Sequence, residues 1–142
     1  MKQLFVAATR QNDGKTMVSL GLFNAIRARF DNVGYIKPVG QQYKVLDGKR
    51  IDKDAVLFRS VYDIKDDPQD MSPIAVPRGF TEDYIVNGGK EQLEKRLHDA
   101  YNSVSKGKDF LVIEGTGHAG VGSVFDFSNA AVAKSLGSKV IL

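Results

Sequence analysis

The feature that most limits the fold is an apolar run that leads through a short polar loop into a helical pattern. Residues 3–8 are nearly all apolar, which predicts a strand buried on both faces of a parallel sheet. After position 14, apolar residues recur at helical spacing, at Val18, Leu22, Ile26 and Phe30. The loop therefore joins the carboxyl end of a strand to the start of a helix, where chemistry is expected in such sheets.

That loop ends in Gly14-Lys15-Thr16, the second half of a phosphate-binding loop. Backbone N–H groups and a helix N-terminus hold the anion in such loops. Lys15 would reach the β and γ phosphates of a nucleotide, and the Thr16 hydroxyl would bind Mg²⁺. The glycine expected earlier in the loop is replaced by Thr9, or by Ala8 if the loop is one residue longer. A turn without phosphate binding stays the alternative.

The other elements follow from periodicity and breakers. Residues 33–40 predict a second strand with Pro38 near its end, and residues 52–62 a short helix with acidic residues in its first turn. Residues 66–89 contain three prolines, which predicts a surface excursion with at most one helical turn. Residues 90–107 form the clearest helix, with one apolar stripe at Leu93, Leu97, Ala100, Tyr101 and Val104.

Residues 109–115 predict another buried strand, residues 128–137 a helix, and residues 139–142 the start of a further strand. The sequence thus predicts an α/β fold, in which a mainly parallel central sheet is flanked by helices in three layers. We expect a single domain over residues 1–142, and we expect the natural protein to continue past Leu142.

Two charged residues belong to apolar strands. Glu114 ends the strand at 109–115, where its carboxylate could hold Mg²⁺; a solvated residue at a strand end is the alternative. Lys37 lies inside the strand at 33–40 and would be costly to bury without an anionic partner. Asp52 and Asp54 could supply that partner, or could join Glu114 at the metal.

A second glycine pattern, Gly-x-Gly-x-x-Gly, spans residues 115–120 and raises the possibility of a dinucleotide-binding fold. The segment that follows is a poor helix start, so a loop over the phosphates or over a second substrate is the favoured interpretation. We interpret His118 as an exposed loop residue, with contact to the substrate as the alternative, and His98 as structural. No spacing of His, Cys and carboxylate residues predicts zinc.

Composition excludes several classes. A net charge of +3, with both signs interspersed, does not predict nucleic-acid binding. The chain has no cysteine, which excludes disulfides and thiolate metal sites, and a cytoplasmic location is the default. No segment predicts a secretory leader or a membrane span.

The segments "ATRQNDGKT", "YIKPVG", "DKDA" and "VIEGTG", in this order, resemble the dethiobiotin synthetase-like P-loop family. That family includes cobyrinic acid a,c-diamide synthase-type amidoligases and the N-terminal domain of some phosphate acetyltransferases. The resemblance implies that Lys15 and Thr16 bind the phosphates and Mg²⁺, and that Asp54 and Glu114 complete the metal site. It also implies a reaction-centre role for Lys37 and a homodimer. Nucleotide-binding residues are predicted to be Asn12, Asp13, Gly14, Lys15, Thr16 and Met17.

The chain departs from dethiobiotin synthetases at Ala8, at Gln11 and Asn12, and near Gln41, which predicts a reshaped diamine site. We expect an ATP·Mg²⁺-binding domain that activates a carboxylate or carbamate for attack by nitrogen, with Lys15 and Lys37 as catalytic residues. The expected partners are a nucleotide and an unidentified small-molecule substrate, without nucleic acid or membrane. A nucleotide-sensing regulatory module fused to a C-terminal domain is one alternative, and a scaffold that no longer binds nucleotide is another.

Overall fold

The computed structural model describes residues 1–12, 14–117 and 120–142. A 3₁₀ turn at Ser123–Phe125 accompanies the helices and strands. In chain order these are β1 (Lys2–Val6), α1 (Lys15–Arg27), β2 (Val33–Ile36), β3 (Val39–Gly40), β4 (Tyr43–Leu46), β5 (Lys49–Asp52), α2 (Lys53–Tyr62), α3 (Pro68–Met71), β6 (Ile74–Ala75), α4 (Phe80–Asn87), α5 (Lys90–Ser105), β7 (Phe110–Glu114), α6 (Asn129–Ser135) and β8 (Lys139–Ile141).

Within the described residues, the central sheet has four parallel strands in the order β2-β7-β1-β8. The last residues of β1 and β7, Val6 and Glu114, pair with each other, and Ile36 at the end of β2 pairs with Ile113. The carboxyl ends of these three strands therefore lie together at one edge. This edge carries the loop to α1, Glu114 and Lys37.

Helices cover both faces of the sheet. Tyr35 pairs with Val112 of β7 and stacks on Phe58 of α2, with ring centroids 3.7 Å apart. Gln3 pairs with Leu111 and accepts a hydrogen bond from Tyr101 of α5. Successive strand residues point to opposite faces, so α2 and α5 lie on opposite sides of β7. The predicted three-layer α/β fold with a parallel central sheet is confirmed.

The buried face of α1 differs from the predicted stripe. Ser19 and Phe23 are the buried residues of this helix, whereas Val18 is 51% exposed. The aromatic ring of Phe23 packs edge-on against Phe58, and Tyr62 donates a hydrogen bond to the Leu20 carbonyl. Contact with α2 therefore sets the rotation of α1, which the apolar period alone did not predict.

The strand predicted at residues 33–40 is two strands. β2 ends at Ile36, and Val39 and Gly40 pair instead with β6 in a separate two-stranded parallel sheet. Pro38 lies between the two strands and cannot donate a hydrogen bond to a sheet ladder. Lys37 donates its backbone N–H to Met71 outside the central sheet, at 2.8 Å. The break turns the chain away at the edge where Lys37 stands.

The excursion at residues 66–89 is more ordered than predicted. One turn of helix, α3, is followed by the short strand β6 and by the eight-residue helix α4. Phe80 and Tyr84, one helical turn apart on α4, both contact Phe125. The prediction of at most one helical turn is wrong because this aromatic contact stabilises a helix with little apolar patterning of its own.

A β-hairpin that the sequence analysis did not predict joins β4 and β5. Asp47 and Gly48 form its turn, both with positive φ, 50° and 76°. Two such residues make the turn whose twist matches antiparallel strands. Tyr43 at one end pairs with Asp52 at the other, and Asp52 then caps α2 by accepting the N–H of Asp54 at 2.9 Å. The hairpin thus delivers both aspartates to the sheet edge.

Candidate phosphate-binding site

The loop between β1 and α1 places its strained positions on suitable residue types. Asn12 and Gly14 have φ values of 65° and 82°, while Ala8 and Thr9 do not adopt positive φ. Asparagine and glycine tolerate this conformation better than alanine or threonine. The backbone is therefore not strained by the absence of glycine at positions 8 and 9. Asp13, predicted to bind nucleotide, lies outside the described residues.

Helix α1 begins without a side-chain cap because its N-cap is Gly14. The first amides of an α-helix have no partner within the helix, which makes them available to an anion. A cavity of about 350 Å³ opens at this helix start. Its lining comprises Arg10, Gln11, Asn12, Gly14, Lys15, Thr16, Met17, Lys37, Gln41, Gln42, Asp52, Lys53, Asp54, Thr116 and Gly117. Every described residue of the predicted nucleotide loop is therefore in this lining.

Lys15 and Thr16 converge on Glu114. The Lys15 Nζ is 2.9 Å from Glu114 Oε1, and the Thr16 hydroxyl donates to the same oxygen at 3.2 Å. The Lys15 side chain is 8% exposed and that of Glu114 is fully buried. Glu114 is thus a buried partner of the loop, which excludes the alternative of a solvated residue at a strand end.

Lys37 lies among three carboxylates. Its Nζ is hydrogen-bonded to Asp54, 3.3 Å from Asp52 Oδ1 and 3.5 Å from Glu114 Oε1. Burial of a lysine in a strand needs such partners, and the hairpin and the start of α2 supply two of them. We name these five residues, Lys15, Lys37, Asp52, Asp54 and Glu114, the charge cluster.

Opposing effects set the pKa values within the charge cluster. Burial would lower the pKa of Lys37, but the charges of Asp52, Glu114 and Asp54 outweigh burial and raise it. Burial raises the pKa of Asp52, and Lys37 only partly offsets this effect. Burial would also raise the pKa of Asp54, but the nearby Lys37 ammonium outweighs burial and lowers it. The ammonium of Lys37 is therefore firmly charged at neutral pH.

Tyr35 is a further buried polar residue that the sequence analysis missed. Its side chain shares a sheet face with Glu114, because Tyr35 pairs with Val112 and Glu114 lies two residues further along β7. Burial, followed by the charges of Glu114, Asp54 and Asp52, raises the pKa of Tyr35 well above its ordinary value. An isolated tyrosine in an apolar run gives no sequence signal of this position.

The oxygen ligands at this edge fit magnesium. Thr16, Asp54 and Glu114, the predicted metal residues, offer a hydroxyl and carboxylates, which are groups that Mg²⁺ binds. Buried oxygens Glu114 Oε2 and Asp52 Oδ2 make no hydrogen bond of good geometry within the described part of the chain. That part holds no group of three or more His, Cys, Asp or Glu residues that could bind a metal alone. Mg²⁺ in phosphate sites commonly has one or two carboxylates, with phosphate oxygens as further ligands.

The loop after β7 is fixed by Asn129 of α6. Asn129 Oδ1 accepts from the Thr116 amide at 2.8 Å and from the Thr116 hydroxyl at 3.0 Å. A Cβ on Gly115 would lie 2.6 Å from the same oxygen and 2.8 Å from the ring of Phe5. Gly115 is therefore required for close packing, and Asn129 holds Thr116 at the cavity wall. Neither contact was predicted.

The glycine pattern at residues 115–120 does not open a helix in the described residues. His118 and Ala119, and so the predicted exposure of that histidine, lie outside them. After Gly120 the chain forms the 3₁₀ turn at Ser123–Phe125, and the next α-helix begins only at Asn129. A dinucleotide-binding turn requires a helix directly after the glycines. His98 is half-buried on α5, where its Nε2 lies 3.0 Å from the Ser135 hydroxyl of α6.

The fold and the loop together define a P-loop domain of the dethiobiotin synthetase-like class. The model of the family described as "AAA domain" matches residues 2–142, and the chain belongs to that family. The chain is 28% identical to a phosphate acetyltransferase of Deinococcus radiodurans, over all of this chain and 19% of that protein. It is 27% identical to the ATP-dependent dethiobiotin synthetase BioD of Methanocaldococcus jannaschii, over 98% of this chain and 64% of that protein.

A BioD of Clostridium botulinum is 27% identical over 82% of this chain and 52% of its own length. The chain thus spans about a fifth of the matched phosphate acetyltransferase and at most 64% of these synthetases. Among the helices of the described residues, none combines the length and apolar character needed to cross a membrane.

Proposed function

We propose that the chain binds ATP with Mg²⁺ at the loop between β1 and α1. The observation that carries the proposal is the convergence of Lys15 and Thr16 on buried Glu114, beside an uncapped helix start. Amides of residues 12–17 would bind the phosphates. Thr16, Asp54 and Glu114 would hold Mg²⁺, which when bound neutralises charge on the phosphates. A relative named as an ATP-dependent synthetase supports this choice of nucleotide.

For the reaction, we propose a ligase type of chemistry. A carboxylate or carbamate oxygen attacks the γ-phosphorus, and the bond between that phosphorus and the bridging oxygen breaks to release ADP. A nitrogen nucleophile then attacks the acyl phosphate, loses a proton and displaces inorganic phosphate. Lys15 and Lys37 would stabilise the charge on the phosphoryl group in transfer. The second substrate would occupy the cavity wall that contains Gln41 and Gln42.

The binding experiment is isothermal titration of the chain with ATP and Mg²⁺, beside the Lys15→Ala variant. A charged hydrogen bond to phosphate is worth about 1.5–3 kcal/mol, so we expect binding to weaken by about 10-fold to 150-fold. Lys65→Ala is the matched control, because Lys65 is 80% exposed and pairs with Asp63 at the surface. Equal affinity of wild type and Lys15→Ala would refute the phosphate loop.

A second candidate is a nucleotide-sensing regulatory module with little turnover. It is favoured by the match of the whole chain to 19% of a phosphate acetyltransferase, as expected for one segment of a longer protein. Release of inorganic phosphate from ATP, measured with panels of carboxylates and amines, separates the two. Stimulation by one substrate rejects the purely regulatory function. A cytoplasmic location, a homodimer and fusion to a C-terminal domain stay predictions.

A further inference from the structure

One oxygen of Glu114 is shared by three donors. Lys15 Nζ lies 2.9 Å away, the Thr16 hydroxyl 3.2 Å and Lys37 Nζ 3.5 Å from Glu114 Oε1. This is the oxygen that faces the phosphate loop. A divalent cation that used it would have to approach two ammonium groups already in contact with it, which Coulomb repulsion opposes at such distances.

The two lysines are held differently. Lys37 also contacts Asp52 and Asp54, so the loss of one carboxylate leaves it two others. Lys15 has its ion pair with Glu114, and it begins the helix at the cavity. A triphosphate bound at the start of α1 would offer Lys15 another anionic partner next to its own backbone. Lys15 is therefore the cation that nucleotide can draw away.

We propose that Lys15 is a counterion that keeps divalent metal off Glu114 until nucleotide binds. This inference rests on the proposed function, because it assigns the order of binding at the same site. Nucleotide attracts Lys15 to its phosphates, and Glu114 Oε1 becomes accessible to the metal that arrives with them. Nucleotide and metal therefore bind with positive coupling, and each raises the affinity for the other by the same factor.

The test removes the counterion and measures metal binding without nucleotide. Mn²⁺ serves as the probe, and free Mn²⁺ is counted by electron paramagnetic resonance during titration of the protein. We expect Lys15→Met, which keeps an unbranched side chain but removes the ammonium, to bind Mn²⁺ at least tenfold more tightly than wild type. Lys53→Met is the matched control, because Lys53 lines the same cavity and its replacement removes the same charge. We expect it to change Mn²⁺ affinity by less than threefold.

Adding Glu114→Gln to Lys15→Met should abolish the gain in Mn²⁺ affinity. Equal Mn²⁺ affinity of wild type and Lys15→Met, or a gain that persists with Glu114→Gln, overturns the inference. Wild type that binds no ATP, together with a gain of Mn²⁺ affinity in Lys15→Met, overturns the proposed function and leaves the counterion role of Lys15 intact. The two failures are thus distinguishable.

A second measurement covers the case in which Lys15→Met does not fold. Glu114→Gln alone releases Lys15, so this variant should bind ATP in the presence of a metal chelator at least threefold more tightly than wild type. Asp54→Asn removes a carboxylate of the same cluster whose ion pair is with Lys37, and it should not reproduce the gain. Weaker or equal binding of metal-free ATP by Glu114→Gln overturns the inference.

Discussion

Replacement of Lys37 with methionine tests whether the charge cluster is held together by that ammonium. The change removes a cation that contacts three carboxylates, two of which, Asp52 and Glu114, are 1% and 0% exposed. Removal of one partner from a buried ion pair costs about 3–5 kcal/mol, because the other charge stays buried without compensation. Lys15 still pairs with Glu114, so we expect a loss within this range and not a multiple of it.

The assay is urea unfolding followed by circular dichroism at pH 7 and at pH 5. In wild type, Lys37 keeps the pKa of Asp54 below its ordinary value of 3.8. The ionised Asp54 therefore contributes its full stabilisation above pH 3.8, and this stabilisation is lost as the pH falls through the lowered pKa. Without Lys37, burial loses the largest effect that opposes it at Asp52 and Asp54, so the pKa values of these two carboxyls rise in the folded state. The free energy of unfolding of Lys37→Met is therefore reduced at pH 7, and the reduction becomes smaller toward pH 5 as the carboxylates bind protons.

Two controls accompany this experiment. Lys65→Met removes an exposed lysine and should change the free energy of unfolding by less than about 0.5 kcal/mol. Addition of Asp52→Asn and Asp54→Asn to Lys37→Met should restore stability, since the uncompensated charges are removed with their partner. A loss below about 1 kcal/mol for Lys37→Met, or a loss independent of pH, would refute the reasoning.

Three other predictions concern neighbours of the cluster and a helix glycine. Tyr35 has a raised pKa in the folded state, so its contribution to stability is full below the ordinary value of 10.0 and is lost as pH rises above it. The stability difference between wild type and Tyr35→Phe should therefore shrink by about 1.4 kcal/mol between pH 8 and pH 11 in urea unfolding, and a constant difference contradicts this. In Gly40→Ala, the added Cβ would lie 2.3 Å from Asp52 Oδ2, and we expect a loss of about 1–3 kcal/mol in thermal unfolding. Gly21→Ala on α1 meets nothing within 4 Å and should instead gain about 0.5–1 kcal/mol; a loss would show that the helix surface is misassigned.

The sequence predicted those elements whose local pattern and tertiary environment agree. β1 and β7 are apolar runs that become central strands, and the stripe of α5 buries Leu97, Ala100 and Val104 as expected. The candidate phosphate loop was predicted because Gly14-Lys15-Thr16 precedes a helical pattern and follows an apolar run, and the structure places it between β1 and α1. The ion pairs of Lys37 were predicted because a charge in an apolar strand requires a partner of opposite charge. Each of these signals is contained in a few consecutive residues.

No short stretch of sequence predicts the order of the strands in the sheet. β7 lies between β1 and β2, although 73 residues separate Ile36 at the end of β2 from the start of β7 at Phe110. Pairing of that kind depends on side chains from distant segments, as the Tyr35 contact with Phe58 shows. The hairpin was overlooked although Asp47-Gly48 is a strong turn signal, because its strands are short and mostly exposed.

The topology explains why one small region carries so many charges. Parallel strands bring their carboxyl ends to one edge, so Lys15, Lys37 and Glu114 meet there although they are far apart in sequence. Burial of the carboxylates demands cations, and the two lysines supply them from within the chain. The same lysines are the groups that phosphates would engage. The proposed nucleotide binding would therefore use the same ion pairs as folding. Affinities of variants of this cluster must be compared at temperatures where wild type and variant are equally folded.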